Sequence, residues 1–249
     1  MPAGTRNIVV IGLPKSGNMY FTGAIQKTLG CVPVAFCTRA NIHQQIMPEK
    51  LDEFMRLEWA IGGQHLPPTQ YNLRLLEAVG IEKIAILFRD PRDAVISWWR
   101  HLERSDIKGA AWSRAVLFAA GLQSRDYYDL SSQEKLRDLI EFMFPSMQQW
   151  MKDWIGVMSS PSPFQFHLML YERFALAPRD TIRDLLRFFG HDTTPVLPET
   201  TGKTDAGIHL ETHFRRGRAG SYRDEAPPHL ISMLDERLDW GLAAKFGWP

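Results

Sequence analysis

A short apolar run that ends in a glycine turn with a single lysine constrains this chain more than any other feature. Residues 8–10 (Ile-Val-Val) lead into residues 11–17 (Ile-Gly-Leu-Pro-Lys-Ser-Gly), and a helical pattern follows. A strand, such a turn and a helix together present backbone N–H groups and a helix N-terminus to an anion, usually a phosphate. The sequence therefore predicts an anion site at the end of a buried strand.

This turn differs from the Walker loop of ATP- and GTP-binding proteins. Gly12 and Gly17 have the Walker spacing, but Asn18 and Met19 stand where Lys and Ser or Thr are required. The lysine has moved inside the loop, and the hydroxyl that binds Mg²⁺ is missing. An ordinary ATP or GTP site is therefore disfavoured, and a P-loop nucleotide kinase is kept as an alternative.

Apolar runs alternate with helical patterns along the chain. Strands are predicted at 7–12, 32–36, 83–88 and 164–170, and helices at 17–29, 49–59, 73–79, 94–104, 133–155 and 181–189. This alternation predicts an α/β fold with a central parallel sheet flanked by helices in three layers, and the length suits a single domain, 1–249. Residues 107–160 are predicted to be core or a lid, with core favoured, and residues 190–228 show no periodicity, which is typical of a functional or mobile segment.

Charge and cysteine content exclude several classes of protein. Lys and Arg number 29 against 28 Asp and Glu, a net charge of +1, which argues against general binding to nucleic acid or to a membrane surface. The two cysteines, Cys31 and Cys37, lack CxxC spacing and are too few for a disulfide scaffold. No leader, membrane span or metal-binding constellation is apparent in the sequence, so we expect a cytoplasmic protein without a metal.

Three further motifs carry charge or a candidate base. Residues 88–93 (Phe-Arg-Asp-Pro-Arg-Asp) end a predicted strand, with Ser97 further along the next helix, and alone they favour a solvated, salt-bridged turn over a phosphate grip. Residues 214–222 contain three arginines and two glycines, and fit a phosphate clamp or an unspecific basic patch equally well. His65, in the stretch Gln-His-Leu-Pro, is by itself more often structural than catalytic.

Taken in order, these motifs resemble those of the cytosolic-type, small-molecule sulfotransferases in their short, bacterial-like form. Residues 14–17 match the phosphosulfate loop of that family, 64–67 its Lys-Thr-His-Leu-Pro stretch, 89–97 its Arg-[Asp/Asn]-x-[Arg/Lys]-Asp-x-x-x-Ser motif, and 215–217 the start of its Arg-Lys-Gly segment. The resemblance implies that 3′-phosphoadenosine 5′-phosphosulfate (PAPS) is the sulfuryl donor and 3′,5′-adenosine bisphosphate (PAP) the product.

The resemblance also implies roles for individual residues. Those implied to bind the donor are Lys15, Ser16, Gly17, Asn18, Met19, Tyr20, Arg89, Ser97, Tyr171, Arg215, Arg216 and Gly217. In catalysis, Lys15 would stabilise charge on the oxygen between sulfur and phosphorus, and His65 would be the general base. Arg89 and Ser97 would hold the 3′-phosphate, and Ser97 would also restrain Lys15 until an acceptor is present. The transfer is implied to be direct and in line, with neither a covalent intermediate nor a metal.

The chain departs from the family pattern at several positions. Gly63 replaces a lysine that accompanies the family's histidine, Asn18 and Met19 replace two threonines, and residues 221–222 (Ser-Tyr) replace Asp-Trp. These departures keep a second alternative open, in which the protein binds PAP without catalysing a reaction.

The acceptor is predicted only by its chemical class. Segments 34–43, 47–59, 98–112 and 200–214 mix aromatic with acidic residues, and their apolar character favours a small phenol, alcohol or amine over a polysaccharide. A helical or loop lid is expected over the acceptor site, with 200–214 as the loop candidate. The family's C-terminal dimer signature is not evident after Tyr222, so no oligomeric state is predicted.

Overall fold

A parallel sheet forms the centre of the part of the chain that the computed structural model describes, namely residues 7–38, 41–104, 114, 117–118, 121–122, 127–198 and 218–249. Its strands are β1 (Ile8–Gly12), β2 (Val32–Pro33), β3 (Ala60–Gln64), β4 (Lys83–Phe88) and β5 (Gln165–Leu170). They pair in the order β2-β3-β1-β4-β5, and every pair is parallel. The carboxyl ends of all five strands therefore lie along one edge of the sheet.

Helices follow the strands and cover both faces of the sheet. They are α1 (Asn18–Leu29), α2 (Pro48–Arg56), α3 (Gln70–Ala78), α4 (Pro91–Leu102), α5 (Ser132–Asp138), α6 (Phe144–Met158), α7 (Tyr171–Leu176), α8 (Pro178–Phe188), α9 (Tyr222–Glu225), α10 (Pro228–Arg237) and α11 (Trp240–Phe246). Short 3₁₀ turns occur at Asn41–His43 and Tyr127–Asp129, and a π-helical turn, Leu139–Met143, joins α5 to α6. Pro145 follows that turn and cannot donate a backbone hydrogen bond, which favours the locally widened helix.

Two apolar cores lie on opposite faces of the sheet. Side chains alternate along β1, so that Val9 and Ile11 belong to one cluster of buried residues and Ile8 and Val10 to the other. The first cluster contains the aromatic residues of α4 and α6, and the second contains the apolar faces of α1 and α8. The predicted three-layer α/β architecture is confirmed.

One strand of the sheet was not predicted, and one predicted strand is shorter than expected. The strand expected at 32–36 is limited to Val32–Pro33, and its neighbour β3 was missed altogether. Gly62 and Gly63 interrupt the apolar run of β3, because the sheet needs small residues at these positions. A Cβ on Gly62 would overlap the buried ring of Phe36, and one on Gly63 would lie 2.5 Å from Cγ2 of Thr22.

Helix boundaries also differ from the sequence-based expectations. The helix expected at 133–155 is divided by the π-helical turn, and the helix expected at 49–59 ends at Arg56. Three helices, α9 to α11, lie in the last 28 residues, and none of them was predicted. The loop candidate for a lid, 200–214, lies outside the described residues.

Among the described residues, no helix combines the length and apolar character that crossing a bilayer requires. The same ranges contain no group of three or more His, Cys, Asp or Glu residues placed to hold a metal ion.

Replacing Gly63 with alanine is expected to destabilise the protein by about 1–3 kcal/mol, because the new methyl group overpacks the contact with Thr22. Serine at position 22 lacks Cγ2 but keeps the hydroxyl that donates to the backbone oxygen of Asn18, 2.9 Å away. Urea unfolding of Gly63→Ala, with and without Thr22→Ser, measures the effect. Recovery of most of the loss in the double variant is expected, and strictly additive losses would contradict this account.

Candidate active site

The residues singled out in the sequence converge at the carboxyl edge of the sheet. The register pairs Ile11 of β1 with Gln64 of β3, Gly12 with Leu87 of β4, and Phe88 with Leu170 of β5. The residues that follow these four strand ends therefore lie at one level. They are Leu13 to Gly17 after β1, His65 after β3, Arg89 after β4 and Tyr171 after β5.

The loop after β1 has two residues in the left-handed region of backbone conformation. Lys15 has φ 68° and Gly17 has φ 86°, and Lys15 is the only non-glycine residue with positive φ in the described ranges. The N–H of Ser16 donates to the carbonyl oxygen of Leu13, 3.2 Å away, which closes the turn. Nη1 of Arg89 donates to the carbonyl oxygen of Lys15 at 2.7 Å, so the end of β4 fixes the loop.

Arg89 is a buried cation with an incomplete set of partners among the described residues. The residue is 7% exposed, its guanidinium carbon lies 4.1 Å from the ring centre of Tyr171, and Nη2 lies 3.9 Å from Oδ2 of Asp93. Its Nε has no hydrogen-bond partner in these ranges. A buried, positively charged group with a hydrogen-bond donor that these residues do not satisfy is suited to binding an anionic ligand.

The hydroxyl of Ser16 gives a second indication of an oxygen-rich ligand. Ser16 is fully buried, and its Oγ has no hydrogen-bond partner in the described part of the chain. Buried hydroxyls are normally paired, so this atom needs an acceptor or donor that the described residues do not supply. Ser16 Oγ and Arg89 Nε are thus two unpaired donors that suit the oxygens of a phosphorylated substrate.

His65 is bound to the backbone at the end of β1. Its Nδ1 lies 2.7 Å from the carbonyl oxygen of Gly12, and a carbonyl only accepts, so Nδ1 carries the proton and Nε2 is the basic nitrogen. Nδ2 of Asn18 lies 3.3 Å from the same Nδ1 and donates to the carbonyl oxygen of Leu13 at 3.0 Å. A Cβ on Gly12 would overlap the side chain of Asn18, so glycine is required there.

The surroundings of His65 keep its ring neutral. Burial lowers its pKa to about 4, the nearby charge of Lys15 acts in the same direction, and the hydrogen bond to Gly12 opposes the shift. A neutral imidazole with Nε2 unprotonated can accept a proton, which is the property that a general base needs.

An NMR titration of the free protein is expected to show His65 protonating near pH 4 instead of 6.5. Because the folded protein resists this protonation and the unfolded chain does not, the contribution of His65 to stability is lost as the pH falls from about 6.5 towards 4. The His65→Asn variant identifies the resonance by its disappearance. A midpoint at 6 or above in the free protein would contradict the geometry described.

Residues distant in the sequence hold the backbone around His65. The N–H of His65 donates to Oε1 of Gln44 at 2.6 Å. Two indole groups, those of Trp150 and Trp154, donate to the carbonyl oxygen of Leu66 at 3.0 and 2.9 Å. None of these three side chains was predicted to serve the site, because neither motif spacing nor periodicity relates them to His65.

The side chain of Lys15 packs against helix α4. Nζ of Lys15 lies 5.6 Å from the ring centre of Trp98, a cation–π contact next to Ser97 in the chain. Ser97 itself is partly exposed. Trp98 is buried and was not given a role in the sequence analysis beyond belonging to an acceptor segment.

The remaining predicted site residues differ in their exposure. Met19 is 64% exposed at the start of α1, whereas Tyr20 is buried and stands edge-on to Phe174, with ring centres 5.1 Å apart. Tyr171 is buried as well, and its ring would lie 3.2 Å from a Cβ on Gly17. The predicted donor-binding residues Arg215, Arg216 and Gly217 lie outside the described residues.

The charged residues after β4 form salt bridges, as the segment alone indicates, but they are buried, so the expectation of a solvated turn at residues 88–93 is wrong. Asp90, Arg92 and Asp93 are 3%, 1% and 1% exposed. Asp90 accepts from the backbone N–H of Arg92 and binds its guanidinium, while Arg92 also pairs with Asp235 at 2.8 Å. Burial raises the pKa of Asp90, and the hydrogen bonds and charge of Arg92 oppose that shift.

Comparisons with known proteins identify the family and the fold. The family model described as sulfotransferase domain matches residues 5–245. Mouse sulfotransferase SULT7A1 complexed with PAP has a similar structure, with 14% identity over 96% of this chain and 88% of that one, and a TM-score of 0.57. Retinol dehydratase in complex with androsterone and inactive cofactor PAP is also similar, with 14% identity over 95% and 80% of the chains and a TM-score of 0.51. No curated protein sequence matches the chain significantly.

Proposed function

The chain belongs to the sulfotransferase domain family, and we propose that it moves the sulfuryl group of PAPS to a hydroxyl or amine of a small molecule by direct in-line transfer. The observation that carries this proposal is a pair of buried hydrogen-bond donors, Ser16 Oγ and Arg89 Nε, which have no partner among the described residues and lie beside a glycine loop that ends at a helix. A phosphosulfate nucleotide supplies acceptor oxygens for such donors, and the helix N-terminus favours its negative charge. We further propose that residues 1–249 act as one domain.

His65 is proposed to be the general base. Nε2 accepts the proton of the acceptor hydroxyl or amine while the acceptor atom forms its bond to sulfur. The bond between sulfur and the bridging oxygen breaks, and its electron pair stays on the phosphate oxygen of PAP. Gly12 accepts a hydrogen bond from His65 and also begins the phosphate loop. The general base and the sulfuryl donor PAPS are therefore held by the same strand end.

Lys15 is proposed to stabilise the negative charge that develops on the bridging oxygen. Its side chain leaves the loop from a backbone conformation that few lysines adopt, and Arg89 fixes its carbonyl oxygen. The ammonium group lies 5.6 Å from the ring centre of Trp98 in α4, the helix that also carries Ser97, and we propose that Ser97 restrains Lys15 until an acceptor is present. Stabilisation of this kind requires a cation held in place before the reaction begins.

The lysine that the family places two residues before the histidine has no counterpart at position 63. The Gly63 position is filled by the methyl group of Thr22, so a longer side chain does not fit there without movement of α1. We propose that Lys15 and Arg89 carry the charge of the donor without help from this position. A small phenol, alcohol or amine remains the proposed acceptor class, in keeping with the androsterone present in the retinol dehydratase structure.

Thermal unfolding with three ligands tests the proposal and its alternatives. A ligand at about 100 times its Kd should stabilise the protein by about 2.7 kcal/mol. We expect that shift with PAP, a smaller one with 5′-AMP, and none with ATP plus Mg²⁺. A shift only with ATP and Mg²⁺ would instead support a nucleotide kinase. Binding of PAP without turnover of PAPS across phenols, alcohols and amines would favour a non-catalytic binding protein.

A further inference from the structure

A buried carboxylate, that of Asp93, connects the first turn of α4 to the turn at residues 220–222. Asp93 lies one helical turn after Arg89, in the first turn of α4, and is 1% exposed. Its Oδ2 accepts the backbone N–H of Gly220 at 2.7 Å, and its Oδ1 accepts the N–H of Tyr222 at 2.9 Å and the hydroxyl of Ser221 at 3.2 Å. Nη2 of Arg89 lies 3.9 Å from Oδ2 of the same carboxylate.

These contacts give Asp93 a different role from its charged neighbours. Asp90 and Arg92 bind each other, Arg92 also binds Asp235 of α10, and the ring centre of Tyr222 lies 4.6 Å from the Arg92 guanidinium. The carboxylate of Asp93 instead joins Arg89, whose Nε has no hydrogen-bond partner in the described ranges, to the turn at residues 220–222. Gly220 has φ 72°, a conformation suited to glycine, and its N–H makes the shortest of the bonds to Asp93.

We infer that Asp93 is a positioning residue of the donor site, which orients Arg89 and the turn at residues 220–222 toward the 3′-phosphate of the nucleotide. This inference rests on the proposed function, in which Arg89 binds that phosphate. A carboxylate that accepts three hydrogen bonds and faces a guanidinium uses three of its roughly four lone-pair sites on the turn and attracts the cation, so it holds both partners in one geometry. It also explains the Ser-Tyr pair at 221–222, because Ser221 donates to Asp93 and Tyr222 is buried on Arg92.

The Asp93→Asn variant tests this inference when its affinities for PAP and for 5′-AMP are compared, because the two ligands differ only in the 3′-phosphate. Asparagine keeps one oxygen as an acceptor and replaces the other with an NH₂ group. At the Oδ2 position this group faces the N–H of Gly220 and the guanidinium of Arg89, which are both donors and cannot bond to it. We expect the affinity for PAP to fall about 10- to 100-fold, as found for residues that orient metal ligands in other proteins. The affinity for 5′-AMP, which lacks the 3′-phosphate, should change by less than about 3-fold, because its contacts lie at the β1 loop. If Asp93 had only a structural role, the affinities for PAP and for 5′-AMP would fall by the same factor.

The matched control is Asp235→Asn, which removes the same charge from the neighbouring ion pair with Arg92. Its ratio of PAP to 5′-AMP affinity should equal that of the natural protein. If the natural protein itself binds PAP no better than 5′-AMP, the proposed donor site is wrong. If it prefers PAP and Asp93→Asn keeps that preference, the role of Asp93 is overturned and the proposed function stands.

A second variant decides the matter if Asp93→Asn does not fold. Ser221→Ala removes one hydrogen bond to Asp93 and leaves the carboxylate in place. We expect its preference for PAP over 5′-AMP to fall about 2- to 5-fold, the effect of one hydrogen bond. An unchanged preference in a folded Ser221→Ala protein would overturn the inference.

Discussion

Replacement of His65 by asparagine is expected to lower kcat by about 10²- to 10⁴-fold, the range that a general base contributes. Asparagine places its Nδ2 where histidine has Nδ1, so the hydrogen bond to the carbonyl oxygen of Gly12 can persist. The basic Nε2 is lost. Initial rates with PAPS and a responsive phenol, alcohol or amine, together with a PAP binding isotherm, measure the two effects separately.

The binding of PAP should change by less than about 3-fold in His65→Asn, because the donor contacts lie on the β1 loop and on Arg89. His65→Ala is the companion variant, since it removes both the base and the hydrogen bond. It should lose as much activity as His65→Asn and about 1 kcal/mol more stability, because the carbonyl oxygen of Gly12 loses a partner. Full activity in folded His65→Asn would assign the base to another group.

The strand, loop and helix at residues 8–29 were predictable because their signals are local. An apolar run, a glycine turn and a helical pattern follow one another there, and β4 is likewise an apolar run followed by a turn, here with proline, and a helix. The strand β3 was not predictable in this way. Its glycines are required by the nearby Phe36 ring and by Thr22, contacts that only the packed sheet reveals, and they hide the strand pattern.

The residues of the candidate site also fall into a group that the sequence indicates and a group that it does not. Lys15, Arg89 and His65 follow strand ends and belong to recognisable motifs, so the sequence indicates them. Gln44 and Trp154 serve His65 through contacts across 21 and 88 residues, and no spacing rule reaches that far. The burial of Arg92 likewise depends on α10, a helix that the sequence analysis missed. A charged cluster is usually solvated, and only its partners from distant segments reverse that expectation.

Removal of the Lys15 side chain is expected to lower kcat by about 10²- to 10³-fold, the cost of losing one group that stabilises developing charge. Lys15→Ala also removes a cation near the donor, so KM for PAPS should rise several-fold. Both parameters come from initial rates at varied PAPS with a saturating acceptor. A kcat within about 3-fold of the natural value would remove Lys15 from the chemistry.

A comparison of Lys15→Ala with Lys15→Gly separates catalysis from stability. Lys15 has φ 68°, and a residue with a Cβ in this left-handed region costs about 1–2 kcal/mol relative to the right-handed helical one. Glycine carries no such cost, so Lys15→Gly should unfold at a higher urea concentration than Lys15→Ala, while both lose activity equally. A more stable protein with the same loss of kcat would show that the chain keeps a strained lysine for its ammonium group. Equal stability of the two variants would mean instead that the loop relaxes around residue 15.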